Sequence, residues 1–205
     1  MRIIGGSLRG RDLGAVPKGV RPTSDRVRES LFSILGPLDG KRVLDLFSGT
    51  GALGLEAYSR GAASIVFVEQ SRRVANALRA RLRNLDLEAR DASLTVMTMA
   101  AIQAVRRLSA RLEGQREGRE GLPGEGQGES QFDLVFLDPP YAEGDRIGTL
   151  EALFASSLLA TDAVVVVEGP KRHPLPPVVG GRVLEQRPYG DTILTWLAAA
   201  KRSER

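Results

Sequence analysis

One alternation constrains this chain more than anything else in it. Short, nearly continuous apolar runs take turns with stretches of helical spacing. KRVLDLF (41–47), SIVFVEQ (64–70), SLTVMT (93–98), FDLVFLD (132–138) and AVVVVEG (163–169) read as strands. Between them lie GALGLEAYSRG (51–61), a helix ended by glycine, and a helix capped by Ser71 that runs to about Asn84 with Val74, Leu78, Leu82 and Leu85 on one face. AAIQAVRRLSARL (100–112) and TLEALFASSLL (149–159) supply two more. Strands apolar on both faces must be covered on both faces, and strands joined through helices run parallel. The last stretch, RVLEQRPYGDTILTWLAAA (182–200), predicts an antiparallel pair with its turn at Pro188-Tyr189-Gly190. The sum is an α/β fold: a mostly parallel seven-stranded sheet with helices on both faces.

Two segments stand outside this rhythm. Residues 1–22 are Gly-rich and basic, and predict a short β arm or hairpin ahead of a main domain covering 23–205. The first helix of that domain starts after Ser24 and spans about 25–36, with Val27, Leu31, Ile34 and Leu35 in a helical stripe. Residues 113–131, EGQREGREGLPGEGQGESQ, hold almost no apolar content and cannot bury enough surface to offset ordering entropy. They are expected to be a disordered insertion.

Composition removes several classes of chemistry. The 205 residues contain no cysteine and one histidine, His173, so thiolate metal sites, disulfides and His-based metal sites or triads are not expected. No apolar run reaches the ~18 residues of a membrane span, and MRIIGGSLRG does not resemble a secretory leader, so a cytoplasmic protein is expected. Net charge is +4, unevenly spread. Arg2, Arg9, Arg11, Lys18, Arg21, Arg26 and Arg28 face only Asp12 and Asp25 in the first 28 residues. Arginine suits phosphate forks and base stacking, so this end is a candidate nucleic-acid surface.

VLDLFSGTGALGLEA (43–57) carries the first candidate site. Gly49 and Gly51 make a tight turn between a strand and a helix, where glycine permits positive φ and close approach of a ligand. With Gly54 the spacing is G-x-G-x-x-G, and no Lys-Ser/Thr follows to hold a triphosphate. Asp45 precedes the glycines. A carboxylate there would repel a pyrophosphate but favour a ligand with a sulfonium and an ammonium, which tilts the cofactor from NAD to S-adenosylmethionine. Glu69 ends the second strand, where an acid can accept hydrogen bonds from ribose hydroxyls.

FLDPPYAEG (136–144) carries the second. The strand stops because Pro139 and Pro140 cannot donate ladder hydrogen bonds. Asp138 is left at its carboxyl end and Tyr141 on a stiff turn: one carboxylate and one ring on a rigid platform.

VLDLFSGTGALGLEA resembles the first motif of class I S-adenosylmethionine-dependent methyltransferases, and DPPY resembles the fourth motif of those that methylate exocyclic amines. The stretches RIIGG, LRGR and RPTSDRVRESLF within 2–32, and RPYGDT (187–192), resemble bacterial 16S rRNA guanine-N2-methyltransferases of the RsmD type. The resemblance spans nearly the whole chain and implies a Rossmann-like methyltransferase fold and methylation of one guanine N2 amine in the small ribosomal subunit or a late precursor; a monomer is expected. The resemblance implies that Asp45, Phe47, Ser48, Gly49, Gly51, Glu69 and Gln70 hold the cofactor. Asp138, Pro139, Pro140 and Tyr141 would be catalytic, and Arg9, Arg11, Arg21, Thr23, Arg26 and Arg28 would contact RNA. No metal is implied. TMAAIQA (98–104) departs from the pattern, lacking an acid or amide before Gln103, so the adenine contact there stays unassigned. Rival readings are a DNA adenine methyltransferase, a protein-glutamine methyltransferase and a non-catalytic RNA-binding protein on the same fold. The chain lacks room for a target-recognition domain, carries Asp138 where glutamine methylases favour Asn, and keeps Asp45, Glu69 and DPPY.

Overall fold

The computed structural model describes residues 1–16, 23–87, 93–116, 131–139 and 143–200. Seven strands, in chain order β1 (Arg42–Leu46), β2 (Ser64–Val68), β3 (Leu94–Met97), β4 (Phe132–Leu137), β5 (Leu159–Pro170), β6 (Gly181–Tyr189) and β7 (Thr192–Ala199), form one sheet in the order β3-β2-β1-β4-β5-β7-β6. The chain divides into two compact units, Met1–Ala100 and Ala101–Arg205.

The first unit holds α1 (Asp25–Leu35), β1 (Arg42–Leu46), α2 (Ala52–Ser59), β2 (Ser64–Val68), α3 (Arg72–Asn84) and β3 (Leu94–Met97). α1 and α3 start where a serine cap satisfies a free amide. The Ser24 hydroxyl accepts from Val27 N at 3.3 Å, and the Ser71 hydroxyl from Val74 N at 3.5 Å. β1 pairs parallel with β2 (Leu44 opposite Val66), and β2 parallel with β3 (Phe67 opposite Val96). Val43, Leu44, Leu46, Ile65, Phe67 and Val68 are buried with Leu55 and Ala57 of α2 and Leu78 and Leu82 of α3. Fully burying an aliphatic side chain of this kind contributes about 1.5–3 kcal/mol.

Residues 1–16 form no strand pair. One isolated bridge joins Arg2 to Asp12, and the rest of the loop is held by Ile3 N to Arg11 O (3.0 Å), Gly10 N to Ile3 O (2.9 Å) and Leu13 N to Met1 O (2.8 Å). Ile3 and Leu13 are buried, so this basic end also feeds the core.

The second unit holds α4 (Ala101–Arg116), β4 (Phe132–Leu137), α5 (Glu143–Ala155), β5 (Leu159–Pro170), β6 (Gly181–Tyr189) and β7 (Thr192–Ala199). β4 and β5 are parallel, with Phe136 opposite Val166. β7 runs antiparallel to both β5 and β6, and the hairpin turns between Tyr189 and Thr192. Pro188 is tolerated because β6 lies at the sheet edge. α4 runs to Arg116, four residues into the expected insertion; 117–130 lie outside the described residues. α5 begins at Glu143, six residues before the expected start, because Gly144 and Gly148 weaken the helical signal there. Among the described residues no helix is long and apolar enough to cross a membrane.

Candidate active site

The turn after β1 is built from inward-facing acids and left-handed backbone. Phe47 (φ 61°), Gly49 (φ 51°) and Gly51 (φ 75°) all adopt positive φ. For Phe47 this is an uncommon conformation, of the kind that persists where surrounding structure enforces it. Ser48 supplies part of that enforcement. Its hydroxyl donates to Asp45 O (2.6 Å) and accepts from Val68 N (2.8 Å), while its amide donates to Val68 O (2.9 Å). The ends of β1 and β2 are thus stitched through one side chain.

Asp45 is 2% exposed, and its Oδ2 accepts from Gly54 N at 3.0 Å. Burial pushes its carboxyl up to about 7; the Gly54 hydrogen bond opposes the rise, and the Glu69 charge adds to it. Only glycine fits at 54, since a Cβ there would stand 3.0 Å from Asp45 Oδ2 and collide with Phe67. Glu69, half-buried after β2, accepts from Ser71 N (2.7 Å) and Gly49 N (3.1 Å). It fixes the glycine turn from one side and the start of α3 from the other. Gln70 is exposed. Of the expected cofactor residues, the structure therefore gathers Asp45, Phe47, Ser48, Gly49, Gly51 and Glu69 around one turn.

Two charged residues that the sequence reading did not single out carry much of this region. Glu56 of α2 is 0% exposed. It accepts from Ile4 N and Gly5 N, both at 2.8 Å, and from Arg60 Nε at 2.9 Å. Arg28 Nη1 lies 3.8 Å from it. Arg81 of α3 is buried and donates to three main-chain carbonyls: Thr50 O (2.7 Å), Ala15 O (3.0 Å) and Leu13 O. The signal was present. Glu56 is the only charge in ALGLEAYS, and Arg81 falls on the same face as Val74 and Leu78.

The expected RNA residues divide. Arg9, Arg11 and Arg26 are exposed. Arg28 is 0% exposed, paired with Asp25 at 2.6 Å and donating to Arg2 O at 2.9 Å. A guanidinium committed to internal partners does not face a phosphate, which corrects the expectation for Arg28. Thr23 is buried as well. Arg21 lies outside the described residues.

In the second unit, Leu134 to Leu137 are buried and Asp138 and Pro139 follow half-buried at the carboxyl end of β4. The chain places an acid where an apolar strand stops, as the sequence reading expected. Pro140 and Tyr141 lie outside the described residues. Among the described residues no group of three or more His, Cys, Asp or Glu side chains is placed to hold a metal ion.

Comparison with known proteins adds the family. The model of the family described as conserved hypothetical protein 95 matches residues 1–198. The chain belongs to this family. Ribosomal RNA small subunit methyltransferase D of Escherichia coli K12 is 37% identical over 87% of this chain and 79% of its own length. Its Haemophilus influenzae namesake is 33% identical over 85% and 81%. The solved structure of the Escherichia coli protein yhhF is 30% identical, covers 98% of this chain and 99% of that one, and superposes with a TM-score of 0.77. The fold of this family member is the Rossmann-like one of class I methyltransferases, and the cofactor expected for the turn is S-adenosylmethionine. The glycine turn fits that group: left-handed backbone gives close approach, and Asp45 and Glu69 supply acceptors for its cationic and hydroxyl groups.

Proposed function

We propose that this chain methylates the exocyclic N2 amine of one guanine in the 16S rRNA of the small ribosomal subunit. The observation that carries the reading is Asp138, set at the carboxyl end of β4 and followed by proline. Similarity along most of the chain to proteins named for the small-subunit rRNA supports the RNA class.

An aromatic exocyclic amine is a poor nucleophile, since its lone pair is delocalised into the ring. S-adenosylmethionine supplies an electrophilic methyl on a sulfonium. Asp138 accepts a hydrogen bond from one amine hydrogen, and a carbonyl of the proline turn takes the other, which leaves the lone pair free to point at the methyl. Pro139 keeps that carbonyl from wandering. Positioning of this kind supplies up to ~7–11 kcal/mol of a barrier. As the nitrogen–methyl bond forms and the sulfur–methyl bond breaks, positive charge would build on the amine, where the Asp138 carboxylate would stabilise it; the surplus amine proton would then leave to water, giving the N-methylated base and S-adenosylhomocysteine. Tyr141 stacks on the base lifted out of its helix, a contact of about 1–3 kcal/mol. In the first unit, Asp45, Ser48, Gly49 and Glu69 hold the cofactor. Exposed Arg9, Arg11 and Arg26 meet RNA phosphates.

The test is labelled methyl transfer to 30S subunits that lack the modification, followed by nucleoside mass analysis. Label in 2-methylguanosine at a single rRNA site is expected. Asp138→Ala should lower turnover by roughly 10²–10³-fold, the size seen when one aligned transition-state partner is removed, while S-adenosylhomocysteine binds unchanged. Label in DNA as methyladenine, or in protein, would sink the RNA assignment.

A further inference from the structure

The buried fork of Arg81 touches the glycine turn directly. Thr50 stands between Gly49 and Gly51, both with positive φ, and its carbonyl accepts from Arg81 Nη1 at 2.7 Å. One turn earlier on α3, Leu78 packs against the same place: a Cβ on Gly51 would collide with its Cδ1. The other two donors of the fork go to Leu13 O and, at 3.0 Å, Ala15 O. All three acceptors are main-chain carbonyls. The guanidinium therefore acts as a three-way fastener between α3, the N-terminal segment and the turn.

We infer that Arg81 is a positioning residue for the cofactor: it pre-sets the Thr50 peptide, and with it the turn, in the conformation that receives S-adenosylmethionine. The inference rests on the placement of the cofactor at this turn. A turn built on glycines is cheap to bend and expensive to order. If ordering waits for the ligand, its cost is taken from affinity; a turn already pinned escapes that cost. Only arginine spreads its donors over three nitrogens of a planar fork, and lysine, whose three N–H donors share one nitrogen at the end of a shorter reach, cannot span the same carbonyls. Because the same group holds Leu13 and Ala15, loosening the N-terminal segment also loosens the turn.

The experiment compares wild type, Arg81→Lys, Arg81→Met and a control, Leu108→Ala, in the full chain. Leu108 is buried in α4 of the second unit, and its truncation lowers stability while leaving every residue of the turn and of the Arg81 fork unchanged. The readouts are melting temperature, the Kd of S-adenosylhomocysteine at a temperature where each protein is folded, and the split between KM and kcat. Both Arg81 variants should weaken S-adenosylhomocysteine by about tenfold or more, the loss expected for a charge-assisted hydrogen bond to the turn. KM for S-adenosylmethionine should rise, while kcat on 30S subunits at saturating cofactor stays within about threefold. Leu108→Ala should melt earlier at unchanged Kd. An Arg81 variant that binds as tightly as wild type, or loses only melting temperature as the control does, overturns the inference. Wild type that binds no S-adenosylhomocysteine overturns the cofactor placement itself, a result distinct from a variant effect. If Arg81→Met fails to fold, Arg81→Lys decides alone.

Discussion

Arg26 and Arg28 sit on the same helix, one exposed and one fully buried. The same division runs through the first unit. Arg9, Arg11 and Arg26 form an outer set in water, where a charge costs little and can meet a polyanion. Arg28, Glu56, Asp45 and Arg81 form an inner set, where each charge needs partners to be there at all. The inner partners are mostly backbone groups of loops: Ile4 N and Gly5 N on Glu56, Arg2 O on Arg28, and three carbonyls on Arg81. Buried charge in this unit thus replaces the ladder hydrogen bonds that a loop without strands cannot make for itself. Residues 1–16, with a single bridge of their own, are held in place by Glu56 and Arg81.

The contrast breaks most visibly at Glu56. Glu56→Ala removes the acceptor for two amides and leaves Arg28 and Arg60 facing a void. Removing one partner from such a buried set typically costs about 3–5 kcal/mol. Urea unfolding of the variant should show a loss of that order with a nearly unchanged slope. Glu56→Gln, which keeps an oxygen for the amides, should lose less. A loss for Glu56→Ala as small as that at an exposed ion pair, below ~1 kcal/mol, would move Glu56 to the outer set.

Asp45 tests the inner set by pH. Its folded value of about 7 lies above the ordinary 3.8, so the neutral form is the one that folding favours. Its contribution to the stability of the ligand-free protein is fully present below pH 3.8, falls as pH rises, and is gone above about 7. A cationic ligand favours the opposite, ionised form. Affinity for S-adenosylhomocysteine, which keeps the ammonium, should therefore rise between roughly pH 6 and 8, with proton release on binding. Calorimetry in buffers of different ionisation enthalpy measures that proton. Asp45→Asn should flatten both the stability profile and the affinity profile in this window, and a retained slope in either would assign it to another group.

The sequence made some of this readable and hid the rest for physical reasons. The alternation of apolar strands and striped helices is a local signal of period 2 or 3.6, so the parallel sheet and its antiparallel end follow from it. Asp45, the glycine turn, Glu69 and Asp138 were readable because an acid or glycine at the end of an apolar run has few other reasons to be there. The division of arginines was not readable in the same way. Arg26 and Arg28 look alike in a basic stretch, and what separates them is Glu56, 28 residues past Arg28 and met only after folding. A helical wheel places Arg28 beside Leu31 and Phe32, both buried, yet it cannot say whether a carboxylate waits there. The same holds for residues 1–16, where a Gly-rich basic segment suggests an arm and only tertiary bonds from α1, α2 and α3 make it part of the core.

The smallest effect separates the sets most directly. Arg26→Ala should leave unfolding within about 0.5 kcal/mol of wild type, as for most exposed substitutions. If Arg26 touches a phosphate, RNA affinity falls and the slope of log K against log salt shrinks by about 0.7–0.9, the share of one contact. Arg28→Met should do the reverse. It removes a charge that Glu56 and Asp25 face inside the protein, so stability drops while the salt slope stays at the wild-type value. Binding of 30S subunits across a salt series, alongside urea unfolding, reads both axes on both variants. Equal slopes for the two would mean that Arg26 stands in water without meeting RNA, and the phosphate-facing surface would then have to be sought at Arg9 and Arg11.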